Sequence, residues 1–233
     1  MKKLLLVSIL VLLSVTFLSA DVYIKQQIKT SAFMNQPAKD MLQEQWFGTN
    51  KIATITQDNS YAVNLNEKKF YLIYNKSKTY VEATLPLDIS KLMPEQMAGM
   101  MKGMMDSMTV SVQPNGQSKK ILNWNAKGYD VKMNMMGMDM KMVFWAATDV
   151  PFDWKKLSSL SYELYKAQMK VGEKFINEFK KIEGFPIAYD MEMMGMKMSL
   201  TTVEISDKPS PAGVYAPPTG YTKKDKMGME DMK

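Results

Sequence analysis

The sequence predicts an α+β fold, an antiparallel sheet overlaid by two helices, from three observations. Most of the chain alternates apolar and polar residues with a period of two. The alternating runs are separated by short polar turns. The alternation gives way twice, near 90–108 and 153–182, to apolar residues three or four apart. Alternating strands joined by short connections pair antiparallel.

The chain of 233 residues opens Met1-Lys2-Lys3, runs apolar from Leu4 to Leu18, and reaches Ser19-Ala20-Asp21. This pattern predicts a secretory signal peptide over 1–20, cleaved near Ala20, and so a periplasmic protein. The apolar run falls short of the roughly 20 residues that a membrane span needs.

Strand-like runs follow at 22–33, 42–47, 51–56, 61–65, 69–74 and 79–83, separated by Gly48-Thr49-Asn50, Asp58-Asn59-Ser60, Asn66-Glu67-Lys68 and Asn75-Lys76-Ser77. Each separator is rich in residues that favour turns. At Ser90 the period changes. Met93, Met97, Met100, Met101, Met104, Met105 and Met108 recur at helical spacing behind Pro94, which predicts an amphipathic helix with a methionine stripe. Gly99 and Gly103 each weaken that helix by about 1 kcal/mol relative to alanine.

Strands resume at 109–112 and 120–124, where Asn115-Gly116 predicts a hairpin, and continue at 129–135 and 138–147. A second helix is expected from Asp153 to Ile182, with Leu157, Leu160, Leu164, Val171, Phe175, Phe179 and Ile182 on one side and a stop at Gly184 and Pro186. A closing hairpin is expected over 185–193 and 196–205. Residues 21–222 are expected to form one domain. The prolines at 209, 211, 217 and 218 and the run Lys223-Lys224-Asp225-Lys226 predict a disordered tail over 223–233.

Composition excludes several functions. The chain has no cysteine, no histidine and no arginine. Disulfides and thiol chemistry are absent, the usual general base is missing, and no planar fork is available for guanine or phosphate. With export and a net charge of only +6, nucleic acid is not an expected partner. The carboxylates Asp130, Asp190, Glu82 and Glu204 stand in strand contexts with no accompanying nucleophile or base and read as solvated charges. An enzyme is not expected, and no cofactor is.

Methionine is the unusual term, with 25 residues. Two octets nearly repeat, Met133-Asn134-Met135-Met136-Gly137-Met138-Asp139-Met140 and Met191-Glu192-Met193-Met194-Gly195-Met196-Lys197-Met198. Each reads as a hairpin turning at Met-Gly, with sulfurs stacked along one face. One reading is adaptable packing, because an unbranched, polarizable side chain fills irregular gaps. The other is a thioether site for Cu(I) or Ag(I) at Met133, Met135, Met138, Met193, Met196 and Met198, since soft sulfur selects soft metal. For the helix near 90–108, Met97, Met101, Met104 and Met108 suit a lid over an apolar ligand, with the strand aromatics Trp46, Tyr71, Trp124 and Trp145 as pocket walls.

This layout, with a Met-rich helix at Pro94-Glu95-Gln96-Met97-Ala98-Gly99-Met100-Met101 and Gly184-Phe185-Pro186 leading into a closing hairpin, resembles the bacterial periplasmic domain-of-unknown-function family 4412. That family in turn looks similar to the periplasmic lipoprotein carriers. The resemblance implies a strongly curved antiparallel sheet, an open half-barrel, covered by two helices over an apolar concavity. It implies a carrier-like binding protein for a lipid or acyl chain, in transient contact with a membrane or an envelope protein. The carriers depend on arginine for handling cargo, and this chain has none.

Overall fold

The computed structural model describes residues 21–34, 36–88, 92, 95–169 and 173–228. The expected signal peptide lies outside the described residues. Twelve strands and three helices follow in the order β1 (Asp21–Thr30), β2 (Lys39–Gly48), β3 (Lys51–Ile55), β4 (Asn59–Asn64), β5 (Lys69–Tyr74), β6 (Thr79–Thr84), α1 (Glu95–Asp106), β7 (Thr109–Ile121), β8 (Trp124–Met135), β9 (Met138–Ala147), α2 (Trp154–Met169), α3 (Glu173–Phe179), β10 (Phe185–Met193), β11 (Met196–Lys208) and β12 (Thr222–Lys224).

All twelve strands belong to one sheet, ordered β12-β6-β5-β4-β3-β2-β1-β11-β10-β9-β8-β7. Two antiparallel meanders, β1 to β6 and β7 to β11, are joined where the first strand pairs with β11. Turn chemistry shapes the first meander. The Asn64 side chain accepts hydrogen bonds from the N–H groups of Asn66 and Glu67, an Asx turn that reverses β4 into β5. Along the seam the buried Gln26 donates to the Thr202 hydroxyl at 3.4 Å and accepts from Gln43 at 3.0 Å, so its amide is satisfied inside the sheet.

The half-barrel covered by two helices does not form. The sheet is open and mixed, because β12 adds to β6 in parallel, and helix is a minor component. Among the described residues α1 shares no extensive packing with any strand, and the expected second helix is divided into α2 and α3, with 170–172 outside the described residues. The physical reason lies in the strands. They are apolar on both faces, and irregular chain supplies most of the cover. One core joins Ile24, Phe47, Val63 and Phe70 to Trp145, Ala147, Phe185 and Ile187 beneath Leu85, Leu87, Leu92, Val150 and Leu157. The opposite face of the first meander carries Tyr23, Trp46, Ala53, Ala62 and Tyr71 under Val214, Tyr215 and Tyr221. A third cluster on the second meander packs Val112, Tyr129, Val131 and Met142 with Ile182 and Phe179.

The Asn115-Gly116 hairpin is also corrected. β7 runs unbroken from Thr109 to Ile121 with an irregularity between Pro114 and Ser118, and the reversal comes after Ile121, next to Leu122 at φ 53°. As the outermost strand, β7 tolerates Pro114, which lacks an N–H. Asn115 serves the bulge, donating to Asp130 at 2.9 Å and accepting from the Gln117 N–H at 3.0 Å. Lys223 and Lys224, the first residues of the expected tail, join Thr222 in β12, and the Met227 N–H donates to the Leu92 carbonyl.

Candidate functional site

The two octets become the outer ends of adjacent hairpins, β8–β9 and β10–β11, and β9 pairs with β10. Because each octet alternates Met-x-Met, every strand sends its thioethers to one face. Register then aligns them across strands. Met133 opposes Met140, Met140 opposes Met193, and Met193 opposes Met196, a row four strands wide that Val110 of β7 continues. The row inside it runs Val112, Val131, Met142, Met191 and Met198. Met135 and Met138 pair at the end of β8–β9.

Directly opposed residues in such a ladder stand about 4.5–5.5 Å apart, so flexible thioethers touch across strands. At its inner end the face is closed by α3, with Phe179 edge-on to Phe144 at 6.0 Å and Ile182 in the same cluster. Outward, Met133, Met140, Met193 and Met196 are half-buried. On the reverse face the row four strands wide is Lys132, Lys141, Glu192 and Lys197, with Asn134 and Asp139 paired beyond it on β8–β9. A groove of about 530 Å³ opens behind it, lined by Lys29, Ser31, Lys141, Asp190, Glu192 and Lys197 among others. The end of the sheet is thus amphipathic, with thioether on one side and charge on the other.

The turns are Met136-Gly137 and Met194-Gly195, and all four residues have positive φ. Two-residue hairpins need that backbone, which Asn-Gly adopts with least strain. Methionine there costs about 1 kcal/mol or more. Asn134 supports the first turn, accepting from the Gly137 N–H and donating to Asp139. The residue after α1, Ser107, accepts from the Met136 N–H at 3.2 Å, which sets the end of α1 against this tip.

No family model and no curated protein matches the chain, so membership in the domain-of-unknown-function family 4412 is not shown. Among solved structures it is similar to PNGF-II, at 10% identity and a TM-score of 0.42 over 91% of this chain and 32% of that one. The chain therefore spans about a third of the length of PNGF-II. It is also similar to a putative outer membrane lipoprotein-sorting protein domain from Vibrio parahaemolyticus, at 10% identity and TM-score 0.34 over 82% of this chain and 87% of that one. A DUF1329 family protein from Desulfovibrio piger matches at 11% identity and TM-score 0.28 over 85% and 90%. At these identities and TM-scores no likeness assigns a family or a ligand.

The expected pocket walls are not gathered into one site. Trp46 and Tyr71 are buried together on the first meander, where the Trp46 ring lies tilted against Tyr23 at 4.6 Å and Lys208 stands over the Tyr23 ring at 3.2 Å. Burial, then the nearby Glu44 carboxylate, pushes the Tyr23 hydroxyl up to about 12. Trp145 and Trp124 belong to the first core. Trp145 donates from Nε1 to Asp190 at 3.1 Å with Lys119 over its ring at 4.0 Å.

Met108 is half-buried between α1 and β7, and the side chains of Met97, Met101 and Met104 lie outside the described residues. All six octet methionines named from the sequence do share one face: Met133, Met135, Met138, Met193, Met196 and Met198. Met140 and Met191, inside the octets but not among the six named ligands, also join the rows, and Met142, outside the octets, was missed although the same alternation marks it. Among the described residues no group of three His, Cys, Asp or Glu could hold a metal ion, so sulfur is the donor on offer.

Proposed function

We propose that this chain is a non-enzymatic protein of the cell envelope that binds an apolar molecule, a lipid or acyl chain, on the methionine face of β8 to β11. The observation that carries the reading is the four-strand row Met133, Met140, Met193 and Met196, half-buried and continuous with an apolar floor that α3 closes at its inner end. Thioethers with three rotatable bonds can repack around chains of differing shape. Burying an acyl chain gains about 0.8 kcal/mol per methylene, so about fifteen methylenes supply on the order of 12 kcal/mol, which leaves about 8 after roughly 4 kcal/mol of association and ordering costs. Micromolar binding then needs no charged anchor. Native mass spectrometry on protein purified without detergent, followed by titration with a fluorescent fatty acid, tests it. Met140→Glu with Met193→Glu should abolish uptake, and undiminished uptake in that variant would sink the reading.

The same row favours a second reading. Four laterally adjacent thioethers suit Cu(I) or Ag(I) and offer no charge to hold Zn(II). Leucine replacements at Met133, Met140, Met193 and Met196 separate the two, since they keep the apolar volume and remove the sulfur. Loss of Ag(I) binding with fatty-acid uptake intact supports a metal site. Parent protein that leaves Ag(I) unbound excludes it.

A further inference from the structure

Three hairpin tips lie side by side at one end of the sheet. The β1–β2 connection adjoins the β10–β11 tip, because Ser31 donates its N–H to the Lys197 carbonyl and accepts from the Lys197 N–H on its hydroxyl. The β10–β11 tip adjoins β8–β9 through the Met193–Met140 pairing. Each tip ends in a methionine. Met34, Met194 and Met136 are 83%, 63% and 59% exposed, and each has positive φ. Among the described residues seven non-glycine positions have positive φ, and the three that are methionines are these. At such positions asparagine or glycine is the favoured choice. Packing does not explain a large apolar side chain held there in water.

Charge gathers just behind the tips. Lys132, Lys141 and Lys197 are exposed on the reverse face in the row nearest the tips, against Glu192 and the tip residue Asp139, while one row inward Lys29 is matched by Asp40 and Asp190. The edge is therefore apolar at its crest and lysine-rich at its shoulder. A polar–apolar boundary carrying negative charge matches that profile, because thioethers can enter the acyl boundary while ammonium groups remain among the phosphates.

We infer that these three tips form a docking edge for an anionic phospholipid bilayer, with Met34, Met136 and Met194 entering the interface and Lys141 and Lys197 meeting headgroup phosphates. The inference is separate from acyl-chain binding, since the tip methionines lie outside the rows assigned to the ligand.

Flotation of the exported protein with vesicles of phosphatidylglycerol and phosphatidylcholine tests it against pure phosphatidylcholine. The parent should float with the anionic vesicles and release as salt rises. In the triple variant Met34→Asn, Met136→Asn, Met194→Asn, partitioning should fall about tenfold or more, as three apolar groups no longer leave water. Asparagine suits the left-handed turns, so circular dichroism and thermal melting should match or exceed the parent. Lys141→Glu with Lys197→Glu should weaken flotation on anionic vesicles. Fatty-acid uptake in solution, measured on the same triple variant, should be unchanged, so a failure of ligand binding reads apart from a failure of docking. Equal flotation on neutral vesicles, undiminished flotation of the triple variant, or no flotation of the parent overturns the inference. That last result would leave the tips to a protein partner.

Discussion

The backbone N–H of Val112 donates to the Glu178 carboxylate at 2.9 Å, a contact that ties α3 to the outermost strand of the sheet. An edge strand carries N–H groups that no neighbouring strand uses, and each is a template for pairing with another chain. Glu178 occupies one of them. The Lys181 ammonium, 2.7 Å from the carboxylate, and then the Val112 N–H hold Glu178 below the usual carboxyl range.

A group with a depressed folded value contributes stability that is fully present above the unfolded value, about 4.3 for glutamate. It is lost as pH falls through the depressed folded value. Urea titrations from neutral to acid pH should show this loss in the parent and a smaller one in Glu178→Gln. Light scattering should show more self-association in Glu178→Ala, where the Val112 N–H is released. A pH profile of Glu178→Gln identical to the parent's would remove the carboxylate from the account.

Gly128 is buried beneath the Asn115 side chain, and a Cβ there would collide with the Asn115 amide. Asn115 is half-buried and can swing aside, so Gly128→Ala should destabilise by about 0.5–1.5 kcal/mol, the worth of the Asn115 hydrogen bonds given up, although alanine is ordinarily the better residue in a strand. The cost should largely vanish when Asn115→Ala is already present, a coupling that a double-mutant cycle measures directly. Equal costs in both backgrounds would place the strain elsewhere.

Gln26 joins the two meanders through Thr202 and also bonds Gln43 of its own meander. Gln26→Ala leaves both partners without it inside the sheet and should cost about 1–3 kcal/mol in thermal or chemical unfolding. Replacement of all three by apolar residues of similar volume should recover much of that loss. If Gln26→Ala melts with the parent, water has taken over the amide's bonds.

Tyr215 donates its hydroxyl to Asp21 at 2.6 Å and closes the aromatic cluster of Tyr23, Trp46 and Tyr71. Burial, followed by the Asp21 carboxylate, pushes the Tyr215 hydroxyl well above the usual phenol range. Tyr215→Phe should lower stability by about 1–2 kcal/mol. The emission of Trp46 should shift to the red on denaturation at a lower urea concentration than in the parent. An unchanged midpoint would make the contact incidental.

Some of this structure was legible because local chemistry decides it. The β9 strand occupies 138–147 as expected, and both octets reverse at Met-Gly, where glycine supplies the backbone. The alternation of Met with Asn, Asp, Glu and Lys already separates a sulfur face from a charged one. Which thioethers oppose each other depends on the β9–β10 pairing across 37 intervening residues, and no local pattern encodes that register. Asn115-Gly116 misled because the same residues that make a hairpin also make a bulge, and the choice depends on β7 being outermost. The half-barrel failed for a similar reason. The helical stripes were visible, but nothing in them says that Leu85, Leu92 and Tyr215 would cover the sheet instead. Met34 carried no signal in the sequence, since only the fold places its loop beside Lys197.

The central position of β1 sets an order of events for folding as the chain is made. Its partner β11 is separated from it in sequence by most of the protein, and β12 and Tyr215 come later still. Synthesis from the amino end delivers Ile24 and Gln26 early, with one flank of their strand open until residues 196–208 are made. Such non-local pairing is slow and exposes an unpaired edge to other chains while it waits. The seam between the two meanders closes only after nearly the whole polypeptide has been made.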